Sequence, residues 1–328
     1  MRTKTILAVL ATTVFLLVCV AAQAQDNREF SALGGIIEKG NESSYTWELE
    51  YSQMMQNLKP FGFSVAYLNE GHFDGANNNN KHHRDGFTSQ VWAKKTFLNQ
   101  RFTLGVGVGP YLYFDTATTA SKTTNANVHG FGGIVSASAT YAIARPWNIH
   151  FRMNYIETPD SNDTFAILGG LGYQFDPPLK KPVLSKTSSG KNEMAVLLGN
   201  TVVNNVDIKH PFATNIEYRR QLSWKYIDWT VSYLDEGRSS LIDRRGGTTE
   251  LWIMQRFFDE RMDLGIGAGA YAAFDAMHNH TFGLNGIITM TAGYLVYEHW
   301  GLRVEAHRVV TDHDRDSDVF LVGIRYIL

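Results

Sequence analysis

Beyond the first 25 residues, apolar side chains recur at every second position in short runs, and clusters of Gly, Pro, Asn, Asp and Ser separate the runs. Period-two alternation is the pattern of a β-strand with unlike faces. The stretch "RFTLGVGVGPYLYFDT" (101–116) shows it best. Phe102, Leu104, Val106, Val108, Leu112 and Phe114 share one face, while Thr103, Gly105, Gly107, Gly109, Tyr111, Tyr113 and Asp115 share the other. Read this way, the chain predicts strands near 30–39, 44–57, 61–71, 85–98, 101–115, 128–143, 147–157 and 164–175. A second set is predicted near 191–202, 210–222, 226–237, 245–258, 261–275, 281–297, 300–311 and 317–328. An apolar face opposite one of Gly, Tyr and acid suits a barrel with lipid outside and a polar interior. A water-soluble sandwich would bury that apolar face.

The two sets are copies. "YLNEG" (67–71) recurs as "YLDEG" (233–237), and "RFTLGVGVGPYLYFDT" matches "RMDLGIGAGAYAAFDA" at an offset of 160. Gly86, Thr88, Gln90 and Trp92 meet Gly246, Thr248, Glu250 and Trp252 at that same offset. Later the offset is 153, pairing Tyr141 with Tyr294, Trp147 with Trp300, and "LGGLGYQF" with "LVGIRYIL". An offset that changes only between strands marks a duplicated scaffold.

The fold class expected is therefore all-β: a transmembrane antiparallel β-barrel of sixteen strands, as two duplicated eight-stranded units, with one sixteen-stranded barrel as the alternative. The boundaries read as a signal peptide over 1–25, a first repeat over 26–176, a linker over 177–192 and a second repeat over 193–328. The linker belongs to the Pro-, Lys- and Ser-rich stretch "DPPLKKPVLSKTSSGKNE", and inner-face glycines beside Trp92 suit a narrow, filled barrel. Polar stretches such as "HFDGANNNNKHHR" alternate with short turns "NLKP", "LNQ" and "ARP". This is the pattern of outer loops and periplasmic turns.

Composition narrows the classes further. Arg2 and Lys4, the apolar run Ile6 to Val20 and Ala22-Gln23-Ala24 form a secretory signal, too short for a membrane anchor. Cys19 is the single cysteine, and the preceding Val18 is poor for lipid attachment. Its removal with the signal would leave no thiol for a disulfide or a nucleophile. Without Arg2 and Lys4 the 30 basic residues become 28 against 32 acidic ones, a formal charge of −4. No basic stripe is present, so no nucleic acid is expected as a partner. Trp147, Trp224, Trp300, Tyr155 and Tyr226 fit interfacial girdles.

On this topology Glu70 and Glu236 end their strands with the parity of an inward side chain. Arg84 and Asp115 share the rim of the first copy, and Arg244 and Asp275 that of the second, joined by Asp85, Arg245, Asp163 and Asp316. An acid in a low-dielectric lumen needs a cationic partner, and an arginine fork supplies it. Such a rim could also present arginines to the phosphates of lipopolysaccharide or to a surface polysaccharide. His307 shares inward parity with Glu305 and Arg303, and a buried His–Glu pair is a candidate general acid–base couple. His72, His82, His83 and the pair His278-x-His280 gather in loops, but a metal site needs three or four converging ligands, so no metal or cofactor is expected.

Eight strands ending in Gly170, Tyr173 and Phe175, or Gly323, Tyr326 and Leu328, resemble the small outer-membrane barrels with their C-terminal assembly signal. That resemblance implies the cell outer membrane, contact with its lipid and lipopolysaccharide, and recognition by the barrel-assembly machinery. The stretches "RMNYIETPDSND" and "VEAHRVVTDHDRDS" resemble the lipid A deacylase family, which carries a His-x-Ser-Asn element. Asn154 stands at the histidine position of the first copy, and Val309 at the serine position of the second. The resemblance thus implies the scaffold without the nucleophile. The wider pattern resembles uncharacterised tandem-repeat proteins of Gram-negative bacteria. The expected role is structural or binding at the envelope, with a lipid A-modifying hydrolase or acyltransferase and a sixteen-stranded porin as rivals.

Overall fold

A computed structural model of the chain describes residues 28–55, 58, 60–74, 81–98, 101–118, 125–159, 163–175, 192–203, 210–222, 226–258, 260–277, 281–312 and 315–328. The signal segment, the "NNNN" tip, Trp224, His278, His280, Asp160, Asp314 and nearly all of the linker lie outside these residues. The first barrel comprises β1 (Arg28–Lys39), β2 (Glu42–Met54), β3 (Phe61–Asp74), β4 (Lys81–Phe97), β5 (Phe102–Thr118), β6 (Asn125–Ala144), β7 (Trp147–Glu157) and β8 (Thr164–Gln174). The second comprises β9 (Asn192–Val203), β10 (Phe212–Gln221), β11 (Ile227–Arg238), β12 (Asp243–Phe257), β13 (Met262–Asp275), β14 (Thr281–Tyr297), β15 (Trp300–Val310) and β16 (Ser317–Ile327).

Every strand pairs antiparallel with its sequence neighbours, and each set closes on itself, β1 against β8 and β9 against β16. The single sixteen-stranded barrel is thereby overturned, and with it the wide-lumen porin. Closure leaves neither barrel an open edge, the condition for a sheet to cross lipid.

β7 shows why these residues make such a wall. Asn148, His150, Arg152, Asn154 and Ile156 are buried, and Trp147, Ile149, Phe151, Met153 and Tyr155 are exposed. Polar groups fill the inside and apolar groups face out, the reverse of a water-soluble sandwich. The same holds on β16, where Phe320, Val322 and Ile324 are all more than half exposed. Near the short turns Trp147 meets Tyr173 edge-on at 5.3 Å, and Trp300 meets Tyr326 at 4.8 Å. One aromatic pair is thus repeated where an interfacial girdle belongs.

Two local expectations change. The stretch expected as a long loop after β3 is strand at both ends: β3 reaches Asp74, β4 starts at Lys81, and β6 runs for 20 residues. A tilted strand crosses the bilayer in about 9–11 residues, so these hairpins continue past the apolar belt, their backbone groups still paired. By contrast, β1 and β2 are joined by only Gly40 and Asn41, although this first connection lies at the loop end. Leu112 and Phe114, expected on the exposed face, are buried, and Phe114 packs against Phe87 and His129 at 6.3 and 5.8 Å.

Candidate functional site

The repeated pentapeptide builds a bulge. Pairing slips between Asn69 and His72, and again between Asp235 and Arg238. Within each slip a glycine has positive φ, 71° at Gly71 and 75° at Gly237. The preceding Asn or Asp folds back, so that Gly71 N–H donates to Asn69 Oδ1 (3.0 Å) and Gly237 N–H to Asp235 Oδ1 (2.9 Å). The glycine is required twice over, since a Cβ there would lie 2.2 Å from the carbonyl oxygen of Tyr45 or Phe212. Bulges re-aim side chains, and here the one aimed inward is the glutamate.

Glu70 meets Arg84 as a two-pronged fork: Nε donates to Oε1 at 2.8 Å and Nη2 to Oε2 at 2.6 Å. Tyr111 adds a hydroxyl donor to Oε1 at 2.6 Å, and Thr164 one to Oε2 at 2.7 Å. The remaining guanidinium protons reach Thr158 and Thr164 at 3.0 and 2.9 Å. In the second barrel Arg244 grips Glu236 with Nε and Nη2, while Ser317 stands where Thr164 does and Arg315 offers its carbonyl oxygen. Each fork joins neighbouring strands, β3 to β4 and β11 to β12, and crosses its lumen through the hydroxyl it shares, Thr164 of β8 or Ser317 of β16. Glu70 and Glu236 are wholly buried. Both carboxylate oxygens of each fork are already occupied within the protein.

The other rim acids have partners of their own beside the forks, Asp115 and Asp275 standing opposite Arg84 and Arg244 in the strand ladders. Asp115 faces His82 at 3.4 Å. Asp275 accepts the backbone N–H of Asp243 (3.2 Å) and of Met277 (2.9 Å), the work of a turn cap. Asp316 caps Thr311, and Asp163 receives Tyr155. The expected rim thus divides into a sealed fork and several turn caps.

An apolar layer closes each lumen beside the fork. In the first barrel it holds Leu68, Tyr111, Tyr113, Ile134 and Ile156, and in the second Leu197, Leu234, Tyr271, Ile287, Val309 and Val319. Val309, the position where the deacylase family has its serine, is packed within this layer. Beyond it lies a charged layer that parity arguments located only in part. Arg152 reaches from β7 to Glu48 and Glu50 on β2, with 2.7 and 2.8 Å contacts to Glu50, and its guanidinium lies 4.8 Å from the Trp92 ring centre. Glu48 and Glu50 occupy the inward positions of "WELEY", so the signal was alternation itself, unread because no motif marked it.

The second barrel rewires this layer. Glu305 stands where the first has Arg152, His307 where it has Asn154, and Glu250 where it has Gln90. The guanidiniums move one step along, with Arg303 gripping Glu193 and Glu217 and Arg219 donating to Glu193 at 2.9 Å. His307 and Glu305 do meet, at 3.2 Å, and Thr289 Oγ lies 2.7 Å from His307 Nδ1. Hydroxyl, imidazole and carboxylate in a row can pass a proton, yet all three are enclosed. Among the described residues no group of three or more His, Cys, Asp or Glu converges to hold a metal ion. His72 and His83 stack with ring centres 4.6 Å apart.

No protein-family model and no curated protein matches the chain. Similar solved structures include Ail, the attachment invasion locus protein of Yersinia pestis, at 10% identity over 47% of this chain and 99% of that one, with a TM-score of 0.34. Neisserial surface protein A matches at 12% identity over 45% of this chain and 96% of that one, TM-score 0.35. A Pseudomonas aeruginosa FadL homologue is 12% identical over 94% and 92% of the two chains, TM-score 0.27. Likeness of this degree concerns fold alone. Membrane placement follows from the chain's own walls, closed and apolar outside with charge and hydroxyl groups within. The protein is a tandem pair of closed eight-stranded β-barrels of the outer-membrane type.

Proposed function

We propose that the protein is a structural or binding component of the outer membrane, meeting lipopolysaccharide or a surface polysaccharide at the loop end of its barrels. The carrying observation is the sealing of both lumens: a buried Glu–Arg fork, an apolar layer and cross-barrel ion pairs stand in series in each. A solute would have to break all three. Outer walls and projecting hairpins are then the surfaces left for a partner. Membrane lipid and lipopolysaccharide are the partners in use, and the assembly machinery would read the Gly–Tyr–apolar endings of β8 and β16. The forks serve this role as internal struts that hold the rim. Current recordings on the full-length protein in planar bilayers test it. Silence from protein shown folded by heat-modifiable gel mobility is expected, and uniform current steps would overturn the sealed-barrel reading.

The Thr289–His307–Glu305 row favours one second reading, a lipid A-modifying hydrolase or transferase. It requires an altered lipid A mass spectrum on overexpression that reverts with His307→Ala. An unchanged spectrum sinks it.

A further inference from the structure

The outer wall of the second barrel carries a furrow whose counterpart in the first barrel is filled. Strand register sets Asp235, Arg245, Phe274 and Phe282 in one row across β11, β12, β13 and β14, with Asp235 accepting the Gly237 N–H at 2.9 Å. The row beneath runs Tyr233, Gly247, Ala272 and Leu284. Tyr233 and Leu284, 50% and 77% exposed, rise as ridges on either side. Gly247 and Ala272 are the floor, and a Cβ on Gly247 would meet nothing nearer than the Ser232 carbonyl oxygen at 3.9 Å. Lower down, the Trp229 indole donates to Thr249 at 2.9 Å and closes the end. From Arg245 to Thr249 the furrow runs about 13 Å at the usual strand rise.

Arg245 stands exposed at the top, and among the described residues no hydrogen bond or ion pair engages its guanidinium. The first barrel has Asp85, Phe87 and Leu112 at the matching places. Asp85 is buried and accepts the Tyr67 hydroxyl at 2.8 Å; Phe87 packs against Tyr67 at 5.2 Å and Phe114 at 6.3 Å. One barrel thus fills this wall with rings around an acid. The other clears it and sets a cation above.

We propose that the furrow holds an acyl chain of a phosphorylated lipid of the outer leaflet, lipid A of lipopolysaccharide, with its phosphate on Arg245. The wall faces the bilayer, so the occupant is a lipid. A guanidinium where the apolar belt ends matches phosphate by charge-assisted hydrogen bonds, and a cleared apolar floor gains by covering with a chain. This inference rests on the reading that the loop end meets lipopolysaccharide, and it assigns that contact to one wall of one barrel.

The test titrates full-length protein in detergent with hexa-acylated lipid A bearing both phosphates, and with the same lipid lacking them, counting bound lipid by native mass spectrometry. Arg245→Gln should weaken the phosphorylated lipid about five-fold or more and leave the phosphate-free lipid unchanged. Ala272→Leu should weaken both, with Gly247→Phe as the alternative filler should that variant misfold by gel mobility. Arg238→Gln, a rim arginine paired with Asp243, should change neither. Wild-type binding by both Arg245→Gln and a folded filler variant would overturn the furrow while leaving the broader reading standing. No lipid A bound by the wild type would overturn both.

Discussion

At the scale of single residues, a glycine and an ion pair carry the rim. Gly71 and Gly237 combine positive φ with a carbonyl 2.2 Å from where a Cβ would be. Gly237→Ala therefore adds a clash to a left-handed strain of about 1–3 kcal/mol. The expected result is a lower urea midpoint of the heat-modifiable band, and an unshifted midpoint would refute the bulge. Arg244→Met leaves Glu236 charged, buried and unpaired, a loss of about 3–5 kcal/mol. Adding Glu236→Gln removes the stranded charge, so the double variant should be more stable than Arg244→Met alone, a comparison the same urea series makes. Glutamate parity was readable in advance, because inward facing follows from counting by twos. The Asn or Asp that caps the glycine was not, since a bulge is one extra residue and alternation cannot show it.

At the scale of strands, orientation decides the response to a charge. Val322 on β16 faces outward with more than half its surface exposed. Val322→Arg at a mid-wall position should cost about 2–4 kcal/mol in lipid, read as lost folding into vesicles. Thr248→Ser on the lumen side of β12, which keeps its hydroxyl beside Ser232 at 2.7 Å, should fold as the wild type does. Alternation made the walls legible, but it could not set strand length. Past the bilayer a hairpin continues as long as its ladder pairs, and polar residues such as His82 and His83 pair as well as apolar ones. Hence the loops read from polarity are partly strand.

At the scale of the whole molecule, two closures replace one. Each barrel has its own fork, apolar layer and charged layer, and no cross-lumen contact described above needs the other half. Residues 26–176 and 193–328, produced separately, should each fold into detergent or vesicles with a heat-modifiable band. Failure of both halves alone would argue that the tandem is a single folding unit. The charged layers have diverged in concert: Arg152 against Glu48 and Glu50 gives way to Arg303 against Glu193 and Glu217, with Glu305 and His307 filling the vacated places. Burial enforces such compensation, because a buried charge left without a partner is costly.

Period-two alternation and the internal repeat by themselves determined strands, walls and duplication, because side-chain facing is a local property of an extended chain. They also placed Glu70, Glu236, His307 and Glu305 inside. Only the tertiary structure decided that the sheet closes twice, that the rim glutamates are saturated by Arg84 and Arg244, and that Asp115 and Asp275, opposite those arginines, also hold His82 and a turn. It alone showed the Arg245 furrow. Closure and pairing across a lumen join residues more than 100 positions apart, Glu193 and Arg303 being 110 apart, and such distances follow from register and curvature, which no run of residues records.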